Sequence, residues 1–277
     1  MEPQPRLAIV ASIQQAITAL LTTYEPEFLR LGYTLFVAFA TILIAWHGIR
    51  MMLTRDSLGD NMFGFAKLLL FISIGYSLIA FYEAPLPGIG VSFSNLITDQ
   101  AHAFANILDA RSLELVFEHL DTLWGHFVQP DAWSILANLL YWLLLIFVTL
   151  AKVISLAIVA FGLIASAVCA LLGPIFVPFF IVPKLDWLFW SWLKAFIQYS
   201  FIPVVAFAFL MVFERFIFQY LTTLPQGITE DYYLVYGLQA LVIIGVFEVG
   251  ILLVPSLTNS IFSGKGGESV LPSQFRS

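Results

Sequence analysis

The chain has 277 residues, of which 60% are hydrophobic and 11% are charged, whereas an ordinary soluble domain carries about 25% charged residues. The net charge of −6 argues against nucleic-acid binding through a basic surface, and the single cysteine, Cys169, excludes an intramolecular disulfide. The apolar residues fall in unbroken blocks of about 20 or more, which suits membrane-spanning helices and not the alternation of a membrane β-barrel. The composition therefore predicts an all-α polytopic membrane protein, with about five transmembrane helices and an extramembrane helical hairpin.

The first 30 residues predict an amphipathic helix at the membrane surface or against the body of the protein, covering about 5–23. They do not resemble a signal peptide, because Glu2 and Pro3 come first and Gln14 and Gln15 interrupt the apolar stretch. A frayed polar tail is the alternative. Residues 31–82 then supply the first two transmembrane helices, at about 31–49 and 64–82.

The segment 83–132 is polar and contains two groups of apolar residues at helical spacing, separated near Asp109–Ser112. This pattern predicts two helices that form a hairpin on the periplasmic side of the membrane. Their apolar faces would pack within the same subunit or bind a partner.

Residues 133–254 form the C-terminal transmembrane core. From Trp133 to Pro183 the chain is apolar for about 50 residues, interrupted only by Lys152, which is far longer than one bilayer crossing. Two spans with a turn at Lys152 would explain this length, but no Gly, Pro or Asn is present there to make the turn. We therefore favour one overlong helix that ends at the Gly173–Pro174 break.

Prolines at 174, 178 and 183 stop or kink the chain after this helix. Trp187, Trp190 and Trp192 follow in a short connector and suggest an interfacial aromatic belt. A span at about 192–213 contains Pro203 as a kink, a polar loop covers 214–233, and the last span covers about 234–254. Residues 255–277 predict a flexible cytoplasmic tail.

Basic residues favour a periplasmic N-terminus and a cytoplasmic C-terminus. With five spans in this orientation, the short inner segments hold seven basic residues: Arg50, Arg55, Lys67, Lys184, Lys194, Lys265 and Arg276. The longer outer segments hold four: Arg6, Arg30, Arg111 and Arg215. This asymmetry follows the positive-inside rule.

The sequence contains no HExxH motif, no GxSxG elbow, no Gly-rich phosphate loop, and no histidine pair with metal-ligand spacing to Cys169. We therefore expect no enzymatic activity, no metal and no cofactor. Two charges lie inside apolar blocks, and such groups usually face a cavity, a pore or each other. Glu248 and Lys152 are thus candidate pore or intersubunit residues. Glu248 could instead serve assembly alone, and Lys152 could simply extend to the membrane surface.

Small residues line one face of the overlong helix and predict a close helix contact, within one subunit or around a ring. They are Gly162, Ala165, Ser166, Cys169, Ala170 and Gly173.

Three stretches of the sequence resemble the TrbL family of type IV secretion systems, which includes the sixth protein of the VirB set. They are LPGIGVSFSNLITDQAHAFANILD (86–109) with LDTLWG (120–125), LLGPIFVPFFIVPKLDWLFWSWLKAFIQYSFIPVV (171–205), and the Gly-rich tail. The second stretch is the most specific, since Gly173, Pro174, Phe189, Trp192 and Pro203 fall where the family has its Gly-Pro, aromatic, Trp and Pro. Pro178 belongs to the same helix break.

The resemblance implies a non-catalytic component of the bacterial inner membrane that forms a homo-oligomeric ring. Its implied partners are lipids, other inner-membrane and pilus or stalk subunits of the secretion system, and a translocated protein or single-stranded DNA–protein substrate. It would help translocation and support pilus assembly. A small-molecule or ion transporter is the alternative, although residues 31–82 and 192–254 show no convincing inverted repeat.

Overall fold

The computed structural model describes residues 5–53, 58–107 and 112–263. The helices are, in order, α1 (Pro5–Leu53), α2 (Leu58–Ala80), α3 (Phe93–Ile107), α4 (Ser112–Gly125), α5 (Ile135–Phe176), α6 (Asp186–Leu221), α7 (Leu238–Leu252) and α8 (Val254–Ser263). A 3₁₀ turn, Val177–Ile181, follows α5, and another, Glu230–Tyr232, runs into a π-helical turn, Tyr233–Gly237, before α7. The all-α class is confirmed.

Five helical stretches in the described parts of the chain are long and apolar enough to cross a membrane. They are Ser12–Leu53, Asn61–Ala80, Ile135–Ile181, Asp186–Leu221 and Glu230–Phe262. None lies within residues 83–132, where α3 and α4 occupy the positions predicted for the hairpin. The number of spans therefore agrees with the sequence.

The overlong helix is present as α5, which passes through Lys152 without a turn. Its 42 residues correspond to about 63 Å of helix, twice the hydrocarbon thickness of about 30 Å. Pro174 lies inside its last turn, so the helix ends two residues after the predicted break. An apolar sequence with no breaker before Gly173 gives the helix no earlier place to end.

Three predicted boundaries are wrong. The predicted boundary near residue 30, between an N-terminal helix and the first span, is absent because α1 runs without a break through Pro26. A proline inside a helix removes one backbone hydrogen bond, and here the helix continues past it. The predicted 214–233 loop is shorter, since α6 continues to Leu221. The predicted tail begins with a helix: Thr258 of α8 is fully buried and Phe262 packs on Phe201, with 5.1 Å between ring centroids. The rest of the tail, 264–277, lies outside the described residues.

The chain divides into two compact units. Unit 2 holds residues 12–100 and 164–199, and its core is aromatic, with Phe36, Tyr82, Phe189, Trp192 and Phe196 all buried. The prediction of an interfacial belt is wrong for Trp192, which is 5% exposed, while Trp187 and Trp190 are both more than half exposed.

Unit 1 holds residues 1–11, 101–163 and 200–277. Within it, α4 buries Val116, Leu120 and Leu123. Phe213 of α6 stacks on Phe247 of α7, with ring centroids 3.9 Å apart. Hydrophobic and aromatic packing therefore fills this unit too.

Candidate functional site at the Gly173–Pro174 helix break

The last turn of α5 contains a backbone carbonyl that its own helix does not satisfy. Pro174 has no N–H, so the carbonyl of Ala170, four residues earlier, loses its helical donor. The hydroxyl of Tyr82, just beyond the end of α2, donates to this oxygen at 2.5 Å. Burial raises the pKa of Tyr82 well above its usual value, which keeps the phenol in the protonated, donating form.

Gly173 makes room for that hydroxyl. A Cβ atom at this position would lie 1.8 Å from the Tyr82 oxygen and 2.6 Å from the indole ring of Trp192. The indole Nε1 of Trp192, on α6, donates to the carbonyl of Cys169 at 2.8 Å. Two aromatic side chains from separate helices therefore satisfy neighbouring carbonyls of α5, and only glycine fits between them.

Helix α1 also contacts the Gly173–Pro174 break. A Cβ atom on Gly32 would lie 2.2 Å from the carbonyl oxygen of Pro174, so the two backbones touch. Pro178 is buried in the 3₁₀ turn that follows. The helix break is thus the point where α1, the end of α2, α5 and α6 meet in unit 2.

The small-residue face of α5 lies against two different partners. Gly162 faces Pro203 of α6, whose Cδ would lie 2.6 Å from an added Cβ, and this contact belongs to unit 1. Gly173 faces Tyr82 and Trp192 in unit 2. Both contacts lie within one chain. Ala165, Ser166 and Cys169 are partly exposed between these two crossings.

Lys152 forms an ion pair with Asp121 of α4. The lysine side chain is 17% exposed and the aspartate 47% exposed. His119 of α4 lies 3.7 Å from Glu214 of α6, measured from Nδ1 to Oε1. Polar contacts therefore join α4 to the middle of α5 and to the second half of α6.

Glu248 lies inside unit 1 and is 7% exposed. Its Oε1 is buried, and no hydrogen-bond partner for it lies among the residues that the structure describes. In a single subunit the Glu248 carboxyl of α7 is therefore buried inside unit 1. A role at a pore or between subunits stays a prediction.

Backbone hydrogen bonds join the loop after α4 to the loop after α6. The backbone of Val128 donates to the carbonyl of Ile228 at 3.1 Å, and Ile228 donates to the carbonyl of His126 at 2.8 Å. The Nδ1 atom of buried His126 lies 2.7 Å from the carbonyl of Thr122, and its Nε2 lies 3.2 Å from the amide nitrogen of Gln226. Because a carbonyl only accepts, Nδ1 carries the proton and Nε2 accepts from Gln226.

No cluster of three or more potential His, Cys, Asp or Glu ligands exists within the described ranges. Five of the positions that the sequence indicated lie at contacts between helices: Gly162, Gly173, Pro174, Trp192 and Pro203.

The sequence model of the family described as TrbL/VirB6 plasmid conjugal transfer protein matches residues 40–254, most of the chain. The chain belongs to this family. None of the curated proteins compared with the chain matches it. Membership of the TrbL/VirB6 family makes the chain a membrane component of a conjugal transfer or type IV secretion system.

The TrbL/VirB6 match includes the whole Gly-Pro, Trp and Pro block of α5 and α6. It also includes Tyr82, which sequence reasoning missed, but not Gly32. Tyrosines at helix ends are common in interfacial aromatic belts, so the position of Tyr82 alone does not indicate a buried role. Its partner, the carbonyl of Ala170, lies 88 residues along the chain, and nothing in the sequence connects the two residues.

Proposed function

We propose that the chain is a channel and assembly component of a bacterial type IV secretion system, active as a homo-oligomeric ring in the inner membrane. It helps to translocate a protein or single-stranded DNA–protein substrate and supports pilus assembly. Its partners are other inner-membrane and pilus or stalk subunits, and its N-terminus lies in the periplasm and its C-terminus in the cytoplasm. It carries out no catalytic step.

The exposed apolar surface of α5 is the observation that supports a ring. Large hydrophobic side chains on this helix are exposed from Ile135 (82%) through Leu139 (62%), Ile146 (58%) and Val153 (58%) to Val168 (46%). This stretch covers about 50 Å of helix, and the hydrocarbon core covers about 30 Å. Roughly 20 Å of apolar helix would face water in a lone subunit, whereas neighbouring copies would bury it.

Cysteine cross-linking tests whether α5 of one copy contacts α5 of a neighbouring copy, as the ring requires. The Ile146→Cys variant, made in a Cys169→Ala background, has one thiol per chain and is expected to give covalent dimers with a short bifunctional maleimide in native membranes. Ala151→Cys, on the same helix but fully buried inside the subunit, is the matched control and should stay monomeric. A monomer at Ile146→Cys would remove the support for the ring.

A deletion strain tests the assignment to transfer. Loss of the gene should abolish conjugation or effector export and reduce piliation, and the wild-type gene supplied in trans should restore both. Normal transfer and piliation in the deletion strain would contradict the proposal.

The same complementation assay tests Glu248. We propose a lumen or intersubunit role for this carboxyl. A Glu248→Gln variant that still forms the cross-linked dimer through Ile146→Cys but transfers no substrate would support a lumen role. A variant that fails to oligomerise would assign Glu248 to assembly instead.

A further inference from the structure

Helix α4 packs along the first half of α5 in unit 1. The rings of Trp124 and Tyr141 lie 4.1 Å apart, measured between centroids. Asp121, one turn before Trp124, forms its ion pair with Lys152. The contacts on α5 therefore run from Tyr141 to Lys152, which is about 16 Å of helix. The surroundings of α4 thus indicate where this part of α5 lies relative to a membrane.

The exposed face of α4 is acidic. Glu118 and Asp121 are exposed on it, and Glu114 in the first turn is partly exposed. A charged side chain at the centre of a bilayer costs about 3 kcal/mol or more, and a helix needs about 20 apolar residues to cross one. Helix α4 has 14 residues and is not among the candidate spans. These costs favour a position outside the hydrocarbon core for α4 and for residues 141–152 of α5 beside it.

The residues Lys152, Glu214 and Glu248 lie at one level of unit 1, on α5, α6 and α7 respectively. The first two contact α4 at positions that are only two residues apart. The rings of Phe213 and Phe247 stack with centroids 3.9 Å apart, and these residues directly precede Glu214 and Glu248 in the chain. Three helices therefore carry an ionisable side chain at the same height.

From this level toward the end of α5, the helices of unit 1 contain no Asp, Glu, Lys, Arg or His. The stretches without these residues are 153–163 of α5, 200–213 of α6 and 249–263 of α7 and α8. From Lys152 to its end at Phe176, α5 covers about 36 Å, enough to cross a hydrocarbon core of about 30 Å. An uncharged section of membrane thickness therefore begins at this level.

We propose that Lys152, Glu214 and Glu248 mark the surface of the bilayer in unit 1. Residues 135–151 of α5 then stand outside the membrane, on the side of α4, and their exposed apolar strip is a protein-binding surface. The occupant of this surface is the same strip of a second copy of the chain, which rests on the proposed function as a ring.

The strip consists of the large apolar side chains in this stretch that are more than half exposed: Ile135, Leu136, Leu139, Trp142 and Ile146. Residues 135–151 cover about 25 Å, and a contiguous apolar surface of this kind rarely faces water without a partner. No charged residue lies between positions 133 and 151, so the strip offers no charge for a partner to match. In a symmetric ring every copy presents an equally apolar strip at the same height.

Fluorescence quenching of the purified full-length protein in lipid nanodiscs tests the position of the bilayer surface. Leu139→Cys and Phe161→Cys, each in a Cys169→Ala background, carry a bimane dye at two exposed positions of α5. A nitroxide in the middle of the lipid acyl chains should quench the dye roughly threefold more at position 161 than at position 139. The first position lies about 13 Å inside the proposed surface and the second about 20 Å outside it.

Equal quenching at the two positions, or stronger quenching at position 139, would overturn the proposal. A bilayer that began at Ile135 would contain position 139 and would leave position 161, about 39 Å along the helix, beyond its far side. Should Leu139→Cys fail to fold, as judged by circular dichroism, Ile135→Cys at the start of the strip makes the same measurement.

Cross-linking in native membranes tests the occupant. With a short bifunctional maleimide, Leu139→Cys in the same background should give covalent dimers. Ala137→Cys, two residues away and 7% exposed, is the matched control and should stay monomeric. The expected quenching without a Leu139→Cys dimer would overturn the second copy as occupant, whereas a dimer without the expected quenching would support the ring and overturn the bilayer position.

Discussion

Side chains donate to two backbone carbonyls near the end of α5, and one of them, that of Ala170, has no helical donor because Pro174 lacks an N–H. A buried carbonyl without a donor costs about 1–3 kcal/mol, and water is scarce at membrane depth. Tyr82 and Trp192 both bring a ring that fills the unit 2 core and a polar atom that reaches a carbonyl. Each of these residues therefore contributes packing and hydrogen bonding at once.

Gly173 is the residue on which this arrangement depends. Gly173→Ala should destabilise the protein by about 1–3 kcal/mol, because the added Cβ overlaps the Tyr82 hydroxyl and the Trp192 ring. The midpoint of thermal unfolding in nanodiscs measures the loss.

Gly48 offers a matched control, since it lies inside α1 and an added Cβ meets nothing within 4 Å. Gly48→Ala should leave stability unchanged or raise it by up to about 1 kcal/mol, because alanine has the higher helix propensity. Equal effects of the two substitutions would show that the space around Gly173 is not limiting.

The sequence alone identified the break but not what surrounds it. Pro174 is a helix breaker in any context, so its position could be predicted from local chemistry. Tyr82 and Gly32 act through contacts with residues far along the chain, and a single sequence carries no information on such pairings. Trp192 was misplaced for the same reason: its polar atom reaches a carbonyl inside the protein, where a belt tryptophan would reach the membrane surface.

At the scale of elements, the continuity of α5 was predicted correctly from its residue types, whereas the continuity of α1 was missed. No residue near Lys152 favours a turn, so a single α5 followed from propensity. In α1, Pro26 and its polar neighbours resembled a boundary, yet the helix continues. Just before Pro26, Thr22 and Thr23 donate their hydroxyls to carbonyls one turn earlier, contacts that often bend a helix but do not end α1 here.

The ion pair between Asp121 and Lys152 connects α4 to α5, and a double-mutant cycle measures its strength. Asp121→Asn, Lys152→Gln and the double variant should give a coupling energy of about 0.2–1 kcal/mol, since the aspartate is half exposed. Chemical unfolding of the purified wild type and the three variants provides the four free energies of unfolding that the cycle needs.

Glu118 lies one turn earlier on α4 and is exposed, and the ion pair of Lys152 within the described residues is with Asp121 instead. A parallel cycle with Glu118→Gln should give a coupling near zero. If the two cycles agree, the Asp121–Lys152 contact contributes nothing specific to the attachment of α4.

At the scale of the whole molecule, five candidate spans predict that the two ends of the chain lie on opposite sides of the membrane. The count was predictable because apolar length is a property of composition. The orientation rests on the distribution of Lys and Arg, and the long outer segments dilute that signal.

Single-cysteine variants in a Cys169→Ala background test the orientation. Gln226→Cys, in the exposed connection between α6 and α7, should react with a membrane-impermeant maleimide in intact cells whose outer membrane is permeable. Asp186→Cys, exposed at the start of α6, should react only after the inner membrane is opened. The reverse pattern would place the N-terminus in the cytoplasm.

The two donors at the helix break also differ in when the ribosome makes them. Tyr82 precedes Ala170 in the chain, so the donor for the proline-released carbonyl is synthesised before its acceptor. Trp192 comes after Cys169, so that second bond must wait until α6 has been translated. The Tyr82 bond can therefore form as soon as α5 has been made, whereas the Trp192 bond cannot form before α6 follows.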